Sequence, residues 1–204
     1  MKYSEIKLFD IANGTGVRTS IFVSGCRRHC KGCFNSKAWS FYSGQTFDQD
    51  TVKYILDSLS NSYIDGLSIL GGEPLEPENC SEVLNLIEQV RNLYSDKSIW
   101  LWTGFRFEDL LNEYNEKNPD TIEVAKLRHS ILKHIDILVD GEFIEDKKEV
   151  GLRFRGSSNQ RILDSKKSIA NETPILWNDD PIFDSHIWPG YDKDGYPLKN
   201  TGRN

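Results

Sequence analysis

The chain has 204 residues, 38% of them hydrophobic, a formal net charge of -6 and a pI near 5.3. That is enough apolar material for one domain with a real core, and the acidity argues against general nucleic-acid binding. No apolar run approaches the ~20 residues of a membrane helix, and the start Met1-Lys2-Tyr3-Ser4-Glu5-Ile6 lacks the form of a signal peptide, so a soluble, cytoplasmic protein is expected, with neither nucleic acid nor membrane as a partner.

Residues 17–23 are rich in β-branched side chains and predict the first strand. Val52, Ile55, Leu56 and Leu59 recur at helical spacing within 51–59. Residues 67–70 predict a short buried strand. An amphipathic helix follows, marked by Val83, Leu84, Ile87, Val90 and Tyr94. Residues 98–102 predict a third strand, 107–114 a short helix and 121–134 another, with Val124, Leu127, Ile131 and Leu132 apolar. Residues 135–139 form a fourth predicted strand and 161–163 a short fifth.

This alternation predicts an α/β fold with a mostly parallel sheet. Right-handed crossovers would curl it into a partial, open βα barrel, since five strands cannot close an eight-stranded one. Every loop of chemical interest would follow a strand's carboxyl end, where active sites of parallel α/β folds collect. Residues 1–164 are read as the domain and 165–204 as an irregular C-terminal extension. The extension is rich in Asp, Asn, Lys and Pro, yet carries Trp177, Phe183, Trp188 and Tyr191. Disordered tails carry fewer aromatics, so it is expected to pack partly back, through Ile175-Leu176-Trp177.

The chemistry concentrates in one loop: Cys26-Arg27-Arg28-His29-Cys30-Lys31-Gly32-Cys33. Only one further cysteine, Cys80, occurs in the chain. Disulfides fit this pattern poorly. Structural zinc would need His29 beside Cys30 as a fourth ligand, an awkward tetrahedron. An electron-transfer ferredoxin would need Cys80, which reads as a small packing residue at a helix start. A [4Fe-4S] cluster held by three thiolates leaves one iron open for a small molecule. Around the cysteines, Arg27, Arg28, His29, Lys31 and Lys37 form either a solvated loop or an electropositive rim.

A second segment, Gly71-Gly72-Glu73-Pro74, follows the strand 67–70. Two glycines there allow positive φ and a close approach of a ligand to the backbone. From these residues alone a plain strand-to-helix turn is the stronger reading. Asp140-Gly141 and Ser157-Ser158-Asn159 are also ordinary turn material. Trp100 and Trp102 alternate with Ile99 and Leu101, and packing is their default role.

The stretch from Asn13 to Asn35, together with Gly71-Gly72-Glu73, resembles the radical S-adenosylmethionine enzymes. More closely, residues 16–26, 30–35, 99–105, 137–143 and 155–161 resemble the activating proteins of anaerobic ribonucleoside-triphosphate reductase. The resemblance covers roughly residues 1–164. It implies a partial barrel of the radical S-adenosylmethionine type and a [4Fe-4S] cluster bound by Cys26, Cys30 and Cys33. It implies S-adenosylmethionine contacts from Gly32, Cys33, Phe34 and Gly72, largely through backbone or packing, with Glu73 contacting or orienting the amino group or serving the helix start. It assigns no catalytic side chain, and it leaves open which residue stacks on adenine.

The implied reaction is reductive cleavage of S-adenosylmethionine to methionine and a 5′-deoxyadenosyl radical, which takes a hydrogen atom from a glycine in the large subunit of the reductase. The implied electron donor is of the flavodoxin kind. Three alternatives stand beside this reading: a radical enzyme acting on a small molecule such as a deazapurine precursor, an activator of another glycyl-radical enzyme, and a non-catalytic iron–sulfur or zinc protein.

Overall fold

The computed structural model describes residues 1–177 together with Gly190, Pro197 and Leu198. Its strands are β1 (Lys2–Asp10), β2 (Arg18–Val23), β3 (Gln45–Thr46), β4 (Gly66–Gly71), β5 (Ser98–Trp102), β6 (Ile137–Asp140) and β7 (Arg161–Asp164). Its α-helices are α1 (Gln49–Leu59), α2 (Pro77–Leu93), α3 (Phe107–Glu116), α4 (Ile122–His134) and α5 (Ser165–Ala170). One seven-stranded sheet has the order β3-β1-β2-β4-β5-β6-β7 and does not close.

The expected five strands are all present, and two more precede or interrupt them. The run β2-β4-β5-β6 is parallel, while β1, β3 and β7 each pair antiparallel with a neighbour. β1 was absent from the sequence reading, although Ile6-Lys7-Leu8 alternates with the period of a half-buried strand. A βαβ crossover makes two strands parallel, but β1 reaches β2 without a helix and β7 reaches β6 without one, so both run antiparallel.

Strand alternation divides the interior. Ile21, Val23, Leu67, Ile69, Ile99, Leu101, Leu138 and Leu163 face helices α1 to α4 in the main core, with Ile169 of α5 packed at its margin. The opposite register carries Trp100, Ile137, Val139 and Ile162, joined by Trp102, Phe154 and Trp177. Helices thus cover one face, and the other face is left to line a cavity. Trp100, 1% exposed, stacks on Trp102 and meets Phe154 and Trp177 edge-on, which is the packing role expected of it.

Arg18 closes the amino-terminal end of this inner face. Fully buried, it donates to Ser68 Oγ, Thr15 O, Leu67 O, and both Oγ and O of Ser98. One guanidinium therefore ties the starts of β2, β4 and β5 together. Burial pulls its pKa down to about 10, against the attraction of Asp65, Asp136 and Asp10.

The extension is ordered where it begins. Asp164 caps α5 by accepting from Lys167 N, so residues 165–170 are helical rather than irregular. Residues 175–177 then run along β7: Asp164 N donates to Ile175 O and Trp177 N donates to Ile162 O. Ile175 and Leu176 are buried, as the packing of Ile175-Leu176-Trp177 required. Phe183, Trp188 and Tyr191 lie outside the described residues.

Candidate functional site

The carboxyl ends of the parallel strands open onto one cavity of about 400 Å³, within the usual range of small-molecule sites. Cys26, Cys30 and Cys33 from the loop after β2 line it. So do Gly71, Gly72 and Glu73 after β4, Thr103 and Gly104 after β5, and Gly141 after β6. Gly32 and Phe34 line it as well. Segments scattered along the sequence therefore converge as the strand-end rule anticipates.

Backbone contacts set the relation of the first two loops. Gly72 N donates to Val23 O at 2.7 Å, and Glu73 N donates to Gly25 O at 2.8 Å. Gly25 N and Cys26 N donate in turn to Ala38 O and Trp39 O. Asn79 at the start of α2 donates from Nδ2 to both Ser24 O and Glu73 O. The Gly-Gly-Glu segment is thus part of the seat of the cysteine loop, and Gly72 is demanded by backbone crowding.

Glu73 is 1% exposed. Its Oε1 accepts from Thr103 Oγ1 at 2.7 Å and Leu75 N at 3.0 Å, and its Oε2 accepts from Gly104 N at 2.8 Å. Burial raises its pKa, while Gly104, Thr103, Leu75 and Arg28 act in the opposite sense. The carboxylate joins the loop after β4 to the loop after β5.

The cysteines differ in setting. Burial raises the Cys26 thiol, with Glu73 and Glu76 adding to the rise. Burial together with Glu142, whose Oε1 is 3.6 Å from the sulfur, pushes Cys30 up to about 11. Iron binding works against such shifts, because a coordinated thiol is deprotonated by the metal's own charge. Among the described residues no three His, Cys, Asp or Glu side chains converge as a single ion requires. A cubane needs no such convergence, since each thiolate binds a different iron. Three cysteines lining one cavity can each offer a thiolate to a different iron of such a cluster.

The rival ligands go elsewhere. His29 stacks on Trp39 with ring centroids 4.6 Å apart. Cys80 is fully buried in the helix-side core, and burial pushes its pKa up to about 12. The basic rim is largely paired internally. Arg27 bridges Glu76 and Glu78, Lys31 lies 3.0 Å from Glu145, and Arg28 lies 3.5 Å from Glu73.

Asp140 turns away from the cavity. It is fully buried and accepts from Phe107 N and from two nitrogens of Arg161, which also grips Glu108 with two further bonds. Its role is to hold β6, β7 and α3 together. The 155–160 segment does reach the cavity, through Arg155, Gly156 and Gln160. Gln160 organises that turn by accepting from Gly156 N and Ser157 N and donating to Gly141 O.

Sequence reasoning missed the apolar wall of Phe143, Leu152 and Phe154. Phe143 sat in a matching segment, but Leu152 and Phe154 carry no local signal; Phe154 adopts φ 59° and its carbonyl accepts from Trp102 Nε1.

The 4Fe-4S single cluster domain family matches residues 12–163. The anaerobic ribonucleoside-triphosphate reductase-activating protein of Vibrio cholerae is 39% identical over 164 residues, covering 79% of this chain and 97% of its own length. This chain belongs to the anaerobic ribonucleoside-triphosphate reductase-activating protein family. Proteins of the same name from Enterobacteria phage T4 and Escherichia coli are each 38% identical over 162 residues, covering 79% and 78% of this chain and 93% and 96% of their own lengths. About a fifth of this chain lies outside each of these matches. Among the described residues no helix is long and apolar enough to cross a membrane.

Proposed function

We propose that this protein activates an anaerobic ribonucleoside-triphosphate reductase by generating a glycyl radical on its large subunit. The observation that carries the reading is the convergence of three cysteines, with no fourth among them, on one cavity with the Gly71–Glu73 loop. Cys26, Cys30 and Cys33 would hold a [4Fe-4S] cluster. Gly32, Cys33, Phe34 and Gly72 would contact S-adenosylmethionine, and Glu73 would orient the loops around it. The chemistry that a bound cluster and S-adenosylmethionine supply is a one-electron reductive cleavage whose radical product takes a hydrogen atom from a glycine.

The chain's own task is binding, orientation and exclusion of water. Trp102, Phe143, Leu152 and Phe154 give the cavity an apolar wall, which suits a radical that water-filled space would squander. The open sheet is read as a partial barrel of the radical S-adenosylmethionine type, with its open side admitting a loop of the partner. Residues 1–164 form the working domain and 165–204 an extension whose first part braces it. A flavodoxin-type protein is the proposed electron donor, and the cytoplasm the proposed compartment.

Oxygen-free reconstitution with iron and sulfide tests this reading. Four irons per chain are expected, with methionine and 5′-deoxyadenosine formed under a reductant. Cys26→Ser should lose both, and Cys80→Ser should keep both at a stability cost of about 1–3 kcal/mol. A colourless zinc protein, or a cluster that survives Cys26→Ser and not Cys80→Ser, contradicts it.

A further inference from the structure

Arg28 stands apart from its basic neighbours. Its guanidinium lies 4.2 Å from the centroid of the Phe105 ring. Gly104 makes the room: a Cβ there would come within 2.3 Å of Arg28 Cδ and Nε. Glu73 Oε2 is 3.5 Å from Nε, near enough for attraction, yet Nε is buried without a hydrogen bond. Glu73 Oε2 accepts from Gly104 N at 2.8 Å and meets Arg28 as an ion pair, without taking a hydrogen bond from Nε. No hydrogen bond from the terminal nitrogens of Arg28 to a described residue is formed either. A stacked guanidinium is thus held at the cavity wall with its donors unspent.

A buried donor left unpaired costs about 1–3 kcal/mol, and such a group calls for an explanation. A ligand that brings an acceptor provides one. Guanidinium geometry matches a carboxylate, with two parallel N–H···O bonds. The other cavity cations are placed differently. Arg155 NH1 already donates to Gln160 O, and Lys148 lines the cavity from the segment before Leu152, outside the cysteine loop. Of these cavity cations Arg28 alone lies between two of the cysteines in sequence, and it lines the same cavity as they do.

We infer that Arg28 binds the carboxylate of an α-amino acid group, that of the methionine moiety of S-adenosylmethionine. The inference rests on the proposal that this cavity takes S-adenosylmethionine. Arg28 supplies a fixed positive fork, while Phe105 and Gly104 supply its orientation. The amino acid end is thereby drawn toward the cysteine loop, and the adenosine end toward the apolar wall.

The test compares two ligands on two variants of the reconstituted full chain. Binding of S-adenosylmethionine and of its decarboxylated analogue is measured at equilibrium, with iron content as a control. Arg28→Gln should keep its iron, lose about tenfold or more in affinity for S-adenosylmethionine, and leave the affinity for the analogue unchanged. Arg28→Lys, which keeps the charge but not the fork, should fall between. Equal losses for both ligands would assign Arg28 to the charge of the cluster or the shape of the loop, and overturn the inference. So would unchanged binding, or loss of iron in both variants. If the unsubstituted protein binds neither ligand, the cofactor reading itself falls and takes this inference with it.

Discussion

A Cβ on Gly72 would stand 2.6 Å from the carbonyl oxygen of Gly25, so the glycine after β4 is pressed against the backbone just before the first cysteine. The seat of the cysteine loop and the wall of the cavity are therefore one piece of structure. From sequence, the glycine looked like room for a ligand. In the fold it is also room for the chain itself, with Ala38 O a further 3.0 Å neighbour.

Gly72→Val should consequently damage both functions together. Overpacking of this kind costs about 1–3 kcal/mol, and iron content and S-adenosylmethionine affinity are expected to fall in parallel. An iron assay beside a binding titration checks this. A variant that retains full iron and loses only affinity would return Gly72 to a purely ligand-facing role.

Glu73 yields a second separation. Glu73→Ala strips acceptors from Thr103 Oγ1, Leu75 N and Gly104 N, at about 1–3 kcal/mol for each buried group left unpaired. Urea unfolding should register a loss of several such increments, softened where water enters. Glu73→Gln keeps one acceptor oxygen and should lose less. Wild-type stability in Glu73→Ala, with only cofactor affinity reduced, would make this carboxylate a direct ligand contact.

The helices and parallel strands were legible because their signals are local. The 3.6-residue spacing of Val52, Ile55 and Leu59 and the β-branched run in β2 each report one element without reference to another. The cysteine triplet was equally plain. What stayed hidden is relational. β1 carries only a faint alternation and is fixed by pairing with β2. Arg27 and Lys31 read as either a solvated loop or a basic rim, and their pairing was hidden because Glu76, Glu78 and Glu145 are distant in sequence. Asp140 read as turn material, and its partners Arg161 and Phe107 N, distant in sequence, gave no sign of the buried tie it makes. The apolar wall at Leu152 and Phe154 comes from irregular chain, where no periodicity exists to read.

The extension contributes more than its composition suggested. Truncation after Asp164 removes α5 and the buried Ile175 and Leu176, each worth about 1.5–3 kcal/mol of burial. It also bares Trp100, against which Trp177 packs at 4.9 Å. Truncation after Trp177 spares all of these. Thermal unfolding should show the shorter form markedly less stable than the longer one. The longer form should match the full chain in iron content and cofactor cleavage. Equal stability of the two truncated forms would leave residues 165–177 without a bracing role.

The central claim is that this chain makes a radical on a partner's glycine, and electron paramagnetic resonance reads that product directly. The reduced, cluster-loaded protein is mixed without oxygen with S-adenosylmethionine and its cognate anaerobic reductase, prepared once with ordinary and once with α-deuterated glycine. The account predicts a glycyl signal whose proton splitting collapses on deuteration and which Cys26→Ser abolishes. Full cleavage of S-adenosylmethionine with no radical ever appearing on the reductase would contradict it.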